Sequence, residues 1–292
     1  MATFFVGGSM RTGTGLFTNV LCSDPSTNPV IAEAQYLTRM LRLYLWGRNS
    51  YSAFLADTFA TRADFVRFSQ GWVEAYLERT RQRWSPCRHL VLKNPEMTPL
   101  FPELHELVEE SKFLVIVRDP RDTVASMMEV ATKQKALGRR TALTEMGDDA
   151  RRFARFYNSY YERCLTRDFD GIRDVTLFLK YEDLILHTGT ALRTIEDFTG
   201  LRATQFDPSA TGARTARPSD ERKEDRFFAP WITEVTGGPI SAARIGRFSK
   251  ALTPDKVAVI ERNCADLMAR FGYPCSDSIV PKPTPRRPPD GD

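Results

Sequence analysis

Arg11 lies in a turn, Gly7-Gly8-Ser9-Met10-Arg11-Thr12-Gly13-Thr14-Gly15, that follows the apolar run Phe4-Phe5-Val6 and leads into a helix. Glycines let backbone N–H groups approach an oxyanion closely, and the first amides of the following helix face it with the positive end of the helix dipole. The chemistry predicted is the holding of a phosphate or sulfate ester. Three more cations stand just past apolar runs: Lys93 in Lys93-Asn94-Pro95, Arg118 in Arg118-Asp119-Pro120-Arg121, and Lys180 in Lys180-Tyr181-Glu182-Asp183. One such residue alone is explained as a solvated loop charge. A cation at each of four strand ends predicts a single anion-binding edge.

The nucleoside triphosphate version of such a turn, G-x-x-x-x-G-K-[ST], sets a lysine directly after its second glycine. Gly8 and Gly13 have the right spacing, but Thr14 and Gly15 follow, and the cation of the loop is Arg11. A Mg-nucleoside triphosphate site is therefore poorly supported. The dinucleotide fingerprint G-x-G-x-x-G is absent as well. By its glycine pattern alone the turn fits an ordinary strand-to-helix connection equally well.

Four apolar runs must position these residues: 3 to 7, His89 to Leu92, Phe113 to Val117 and Val175 to Leu179 read as buried strands. Helical patterns fall at roughly 33 to 46, 62 to 83, 99 to 109, 121 to 135, 146 to 168, 188 to 199 and 254 to 271. Strands alternating with helices predict an α/β fold of three layers, a central parallel β-sheet flanked by helices. In such sheets ligands sit beyond the carboxyl ends of the strands, where the four cations fall. Residues 1–275 read as one domain. The polar stretch 207–246 reads as a lid or substrate loop, and the Pro-rich 276–292 as a disordered tail.

Composition narrows the classes. The 292 residues are 42% hydrophobic and 27% charged, ordinary for a soluble globular chain. A net charge of +4 suits an anionic ligand, yet it is dispersed and shows no basic stripe with interleaved aromatics, so nucleic acid is not expected. Cys22, Cys87, Cys164, Cys264 and Cys275 are scattered without a C-x-x-C pair and read as buried, reduced thiols, neither disulfides nor a zinc site. The first strand begins within a few residues of Met1 and no apolar run nears ~20 residues. A cytoplasmic protein without a membrane span is expected.

The residues resemble the sulfotransferases that use 3′-phosphoadenosine 5′-phosphosulfate (PAPS). Ser9-Met10-Arg11-Thr12-Gly13-Thr14-Gly15-Leu16 is similar to the family's 5′-phosphosulfate loop, R-S-G-T-T or K-S-G-T-T, with Thr12 for Ser and Gly15 for the second Thr. Phe113 to Ser126, a strand followed by Arg118-Asp119-Pro120-Arg121-Asp122, is similar to the 3′-phosphate block. Gly246-Arg247-Phe248 ahead of Leu252-Thr253-Pro254 is similar to the late cofactor block, where Trp usually follows the basic residue. Among branches the resemblance is to the tyrosylprotein type and the bacterial carbohydrate or small-molecule type.

The resemblance implies a P-loop-NTPase-like sulfotransferase fold with PAPS as donor, adenosine 3′,5′-bisphosphate as product and no metal. The backbone of Thr12, Gly13, Thr14, Gly15 and Leu16 would hold the 5′-phosphosulfate, Arg118 and Ser126 the 3′-phosphate, and Arg247 with Tyr181 the phosphates from the other side. Gly15 lacks the hydroxyl the family supplies there. In-line sulfuryl transfer builds negative charge on the leaving oxygen, and Arg11 and Lys93 are suited to stabilise it. Glu33 stands where the tyrosylprotein branch has its catalytic glutamate and is the expected general base, although an acid in a helix's first turn is also simple dipole stabilisation. His89 and His105 are the second choices, the first also readable as a packed core or strand-start residue and the second as a surface residue, and His187 has no assigned role. Glu182 and Asp183 read as helix caps or ion-pair partners, Arg121 and Asp122 as turn structure, and Met127-Met128 as core.

The acceptor is expected to be a hydroxyl of a small molecule, sugar or peptide. The aromatic supply of 34 to 84, from Tyr36 to Tyr76, suits an acceptor pocket or plain packing, and the same segment is a candidate homodimer contact. Two other classes stay open: a nucleotide kinase on the related fold, and a nucleotide-binding relative without turnover.

Overall fold

The computed structural model describes residues 1–165, 167–210, 214 and 240–276. Most of the expected loop 207–246 and all but the first residue of the expected tail lie outside the described residues. In chain order the main elements are β1 (Thr3–Gly8), α1 (Thr14–Leu21), α2 (Gln35–Asn49), α3 (Tyr51–Phe54), α4 (Arg62–Arg83), β2 (Leu90–Lys93), α5 (Phe101–Leu107), β3 (Ser111–Val117) and α6 (Pro120–Ala136). Then follow α7 (Ala142–Glu145), α8 (Ala150–Ser159), β4 (Thr176–Lys180), α9 (Tyr181–Leu186), α10 (Thr188–Thr199), α11 (Phe248–Ala251), α12 (Pro254–Asn263) and α13 (Ala265–Phe271).

The four strands make one parallel sheet in the order β2-β1-β3-β4. β1 is central: Val6 lies opposite Lys93 on one side, and Gly8 lies opposite Ile116 on the other. Val117 pairs with Lys180 at the end of β3 and β4. The registers thus bring the carboxyl ends of all four strands to one edge. Successive side chains alternate across the sheet, as the pleat requires. Phe5, Leu92, Phe113 and Val115 enter a core with α2, α4, α5, α6, α8 and α12, while Phe4, Val6, Leu114 and Ile116 pack on the opposite face against α1, α9 and α10. Both faces are covered, which is why the strand sequences are continuously apolar instead of alternating.

The helices expected at 62–83 and 188–199 are α4 and α10. Thr61 starts α4 by accepting from the Asp64 amide. Elsewhere local chemistry redraws the boundaries. The pattern at 99–109 opens as a 3-10 turn, Pro95–Leu100, before α5, because Pro99 and Pro102 lack the N–H that a continuous helix needs. The pattern at 146–168 contains α8, whose N-cap Asp149 accepts from the amides of Arg151 and Arg152, and then passes into 3-10 turns. The pattern at 254–271 breaks at Cys264 into α12 and α13. The helix expected from residue 33 begins at Gln35, so Glu33 precedes it and is not in its first turn. All five cysteines are free; Cys22, Cys164 and Cys264 are buried, while Cys87 and Cys275 are only half-buried. Among the described residues no helix is long and apolar enough to cross a membrane.

Candidate functional site

The turn after β1 is held open by its backbone. Gly8, Arg11 and Gly13 have φ of 124°, 70° and 98°, all in the left-handed region. A side chain at Gly13 would meet the Tyr181 ring at 2.6 Å, and one at Gly8 would meet the Ile116 carbonyl. Arg11 takes that conformation with a full side chain, a local strain of the kind that concentrates at functional positions. The turn's inner polar groups are satisfied internally. The Gly8 amide donates to Thr98 Oγ1 at 2.8 Å, and the Ser9 amide donates to the Tyr161 hydroxyl at 2.9 Å. Thr12 is buried and its Oγ1 donates to the Ser9 carbonyl at 2.6 Å, so its hydroxyl closes the loop. The first helical bond of α1 runs from the Phe17 amide to the Gly13 carbonyl, 3.0 Å. The amides of Thr14, Gly15 and Leu16 therefore form the open end of the helix, with Gly15 exposed beside them.

Arg11, Arg118 and Ser126 form one hydrogen-bonded cluster beside this turn. Arg11 Nε donates to Ser126 Oγ at 3.1 Å, and Arg118 Nη1 donates to the Arg11 carbonyl at 3.2 Å. The Arg118 guanidinium lies over the Tyr181 ring at 4.6 Å. Tyr181 is buried, so it supports Arg118 and walls off Gly13. Burial, and then the charge of Arg118, push Arg11 down to about 10. Arg118 Nε is buried without a hydrogen-bond partner. An orphaned guanidinium donor, two mutually repelling cations and a glycine turn facing a helix N-terminus fit a bound oxyanion.

The late block closes over this cluster. Asp122 accepts from the Gly246 amide at 2.7 Å and the Phe248 amide at 2.8 Å, tying residues 246–248 to the first turn of α6. Arg121 is buried between Asp119 and Glu261 and stacks on Phe248, 4.3 Å from the ring. Between α6 and the late block lies a cavity of about 300 Å³, lined in part by Arg118, Ser126, Glu129, Arg244, Arg247 and Lys256. Arg244 is buried, and its carbonyl accepts from Arg118 Nη2. Sequence reasoning missed Arg244, and nothing in its arginine-rich neighbourhood distinguishes it. Glu129 was missed for the same reason, reading as one more charge on a solvated helix face.

At the end of β2, Lys93 Nζ donates to Glu33 Oε1 at 2.7 Å. The Ala34 amide donates to the Lys93 carbonyl at 2.9 Å, which fixes the segment holding Glu33 to the strand end. Lys93 is half-buried and Glu33 exposed. Neither histidine shares this edge. His89 stands just before β2 and accepts the Ala2 amide, while His105 contacts Ser111 at the start of β3. Both lie at the amino end of the sheet, away from the edge that carries Arg11, Lys93 and Arg118, which disfavours the two second choices for the base. Glu182 does not cap its own helix, and among the described residues it forms no salt bridge: it accepts from the Asp119 amide and the Tyr273 hydroxyl. Burial pushes its carboxyl up. Among the described residues no group of three or more His, Cys, Asp or Glu is arranged to hold a metal.

A parallel sheet whose first strand runs through a glycine turn into a helix, with cations gathered over that turn, defines a P-loop-like α/β fold. Residues 3–205 match the family model described as the Sulfotransferase family, and the chain belongs to that family. It is 26% identical over 282 residues to protein-tyrosine sulfotransferase 1 of Danio rerio, covering 94% of this chain and 72% of that protein. Protein-tyrosine sulfotransferase 2 of Gallus gallus is 26% identical over 203 residues, covering 69% of this chain and 52% of that protein. Among solved structures, the sulfotransferase domain from the curacin biosynthetic pathway superposes with a TM-score of 0.58 at 17% identity, over 94% of this chain and 99% of that one. The sulfotransferase domain of the Synechococcus PCC 7002 olefin synthase gives 0.56 at 17% identity, over 94% and 95%.

Proposed function

We infer that this protein moves a sulfuryl group from PAPS to a hydroxyl of a small-molecule, carbohydrate or peptide acceptor. The observation that carries the reading is the Arg11, Arg118 and Ser126 cluster beside the open N-terminus of α1, in a chain of the sulfotransferase family. When bound, the donor supplies a sulfuryl group already activated by a phosphate leaving group. The amides of Thr14, Gly15 and Leu16 hold its 5′ end, and Arg118 with Ser126 holds its 3′-phosphate. Arg247 reaches the same cavity from the late block.

Glu33 takes the acceptor's proton at a carboxylate oxygen. Lys93, 2.7 Å away, and Arg11 across the turn stabilise the negative charge that develops as the bond to the leaving oxygen breaks. For this the acceptor hydroxyl must replace Lys93 as the partner of Glu33, which frees the ammonium to turn toward the leaving oxygen. The two protein-tyrosine sulfotransferase relatives make a phenolic hydroxyl, including that of a peptide tyrosine, the first acceptor to test.

Isothermal titration with adenosine 3′,5′-bisphosphate, against Mg-ATP and 5′-AMP, tests the donor. Tight binding of the bisphosphate alone, lost in Arg118→Ala, supports it. Preference for Mg-ATP would return the chain to the kinase reading, and bisphosphate binding without transfer to any acceptor would make it a non-catalytic binder.

A further inference from the structure

Glu129 lies on α6 one turn beyond Ser126 and faces the same cavity. Its Oε2 accepts from Arg244 Nη1 at 3.2 Å and from Arg247 Nη1 at 3.4 Å, and its Oε1 pairs with Lys133 at 3.1 Å. The cavity's other two carboxylates have partners other than the late-block guanidiniums. Asp122 accepts the Gly246 and Phe248 amides and stands 3.8 Å from Arg118, and Asp148 pairs with Lys256. Glu129 is thus the carboxylate onto which both late-block guanidiniums converge. Arg244 is also locked to the anion cluster, because its carbonyl takes the Arg118 hydrogen bond.

We propose that Glu129 is an internal counter-anion that stands in for a ligand's phosphate, holding Arg244 and Arg247 over the cavity until a phosphomonoester takes them over. The inference rests on the reading above that this cavity receives the donor's 3′-phosphate. Guanidinium prefers a phosphate, which offers more acceptor oxygens and more charge than a carboxylate, and Glu129 is partly exposed, so its ion pairs are weak enough to exchange. Until that exchange, the carboxylate keeps the two arginines from repelling each other and Arg118. Glu129 therefore acts through Arg244 and Arg247 as a positioning residue, and it competes with the ligand it prepares for. Arg244 becomes a phosphate-binding residue on the same argument.

The two roles give opposite signs in one measurement. In Glu129→Gln the amide keeps the shape but loses the charge that competes with the ligand. Titration of the full chain with adenosine 3′,5′-bisphosphate should show about tenfold tighter binding than wild type, with 5′-AMP unchanged and a lower thermal midpoint for the ligand-free protein. The gain should vanish in Glu129→Gln combined with Arg244→Ala, and Glu129→Asp should stay near wild type. Unchanged or weaker bisphosphate binding in Glu129→Gln, with a folded circular dichroism spectrum, overturns the proposal and leaves Glu129 a simple scaffold. If wild type binds no bisphosphate, the sulfuryl-donor reading fails by itself. Inorganic phosphate then decides the counter-anion role: a larger thermal upshift by phosphate in Glu129→Gln than in wild type upholds it, and an equal or smaller one refutes it.

Discussion

Lys93 Nζ and Glu33 Oε1 meet at 2.7 Å at the carboxyl end of β2, with the backbone of Ala34 hydrogen-bonded to the Lys93 carbonyl. An ammonium and a carboxylate are thereby paired at one strand end, both partly open to solvent, and the proposed roles of donor and base can be tested one at a time. Loss of a general base costs about 10²–10⁴ in rate. Glu33→Gln should accordingly lower kcat by that order and leave bisphosphate affinity within about twofold. Lys93→Met should lower kcat by roughly 10²–10³, as for a removed charge-stabilising donor. Sulfuryl transfer is read with a phenolic acceptor and binding by calorimetry. A Glu33→Gln enzyme with normal kcat would remove Glu33 from the mechanism.

The proposed 3′-phosphate subsite at Arg118 and Ser126 can be tested by binding alone, apart from sulfuryl transfer. Ser126 holds Arg11 and lines the cavity, so Ser126→Ala should weaken bisphosphate binding by about tenfold, the value of one hydrogen bond to a charged group. Arg118→Lys should weaken it much more, because lysine cannot supply the planar fork that reaches the Arg11 and Arg244 carbonyls and lies over Tyr181 together. Binding of 5′-AMP should change little in Ser126→Ala, and equal losses for both ligands would place Ser126 outside the 3′ subsite.

Much of this arrangement was legible in the residues. Continuous apolar runs marked all four strands because the sheet is covered on both faces, and the cation after each run fell at the carboxyl edge because every pairing is parallel. What the chain did not disclose depends on tertiary contact. Glu33 was read as part of a helix, but the Lys93 carbonyl captures the Ala34 amide and the helix starts later. α9 follows β4 with no intervening loop, so no turn residue announces it. That the Thr12 hydroxyl closes the turn on the Ser9 carbonyl is likewise a matter of folded geometry. Arg244 and Glu129 gain meaning only from each other, 115 positions apart in the chain.

The two glycines of the turn make a paired test of backbone and space. Gly13 has a positive φ and its added Cβ would stand 2.6 Å from the Tyr181 ring, whereas nothing lies within 4 Å of a Cβ on Gly15. Gly13→Ala should destabilise the fold by about 1–3 kcal/mol and abolish bisphosphate binding, since Tyr181 must shift from beneath Arg118. Gly15→Ala should leave the denaturation midpoint within experimental scatter, because it adds a methyl in open space at a helix start. Urea denaturation of both variants, followed by calorimetry, checks the pair; equal stability would mean that neither the positive φ nor the Tyr181 ring opposes a side chain at residue 13.

Asp24 joins the end of α1 to the turn after α10. Its Oδ2 accepts the Arg202 amide and its Oδ1 the Ser26 amide, both at 2.7 Å. Burial alone would raise its carboxyl, but the hydrogen bonds from Arg202 and Ser26 outweigh this and hold it below the usual aspartate value of 3.8. A native value below the unfolded one means that the unfolded chain binds the proton first, so the stabilisation is present above pH 3.8 and is lost as pH falls through the native value. Asp24→Asn removes the charge that both amides meet, and should lower stability at pH 7 by about 1–2 kcal/mol. The difference from wild type should then shrink as pH falls below 3.8 and through the lower native value, where the native carboxylate itself becomes protonated. Urea unfolding at pH 7 and across pH 3 to 5 measures both features, and a difference that stayed constant into acid would mean that Asp24 acts through shape and not through charge.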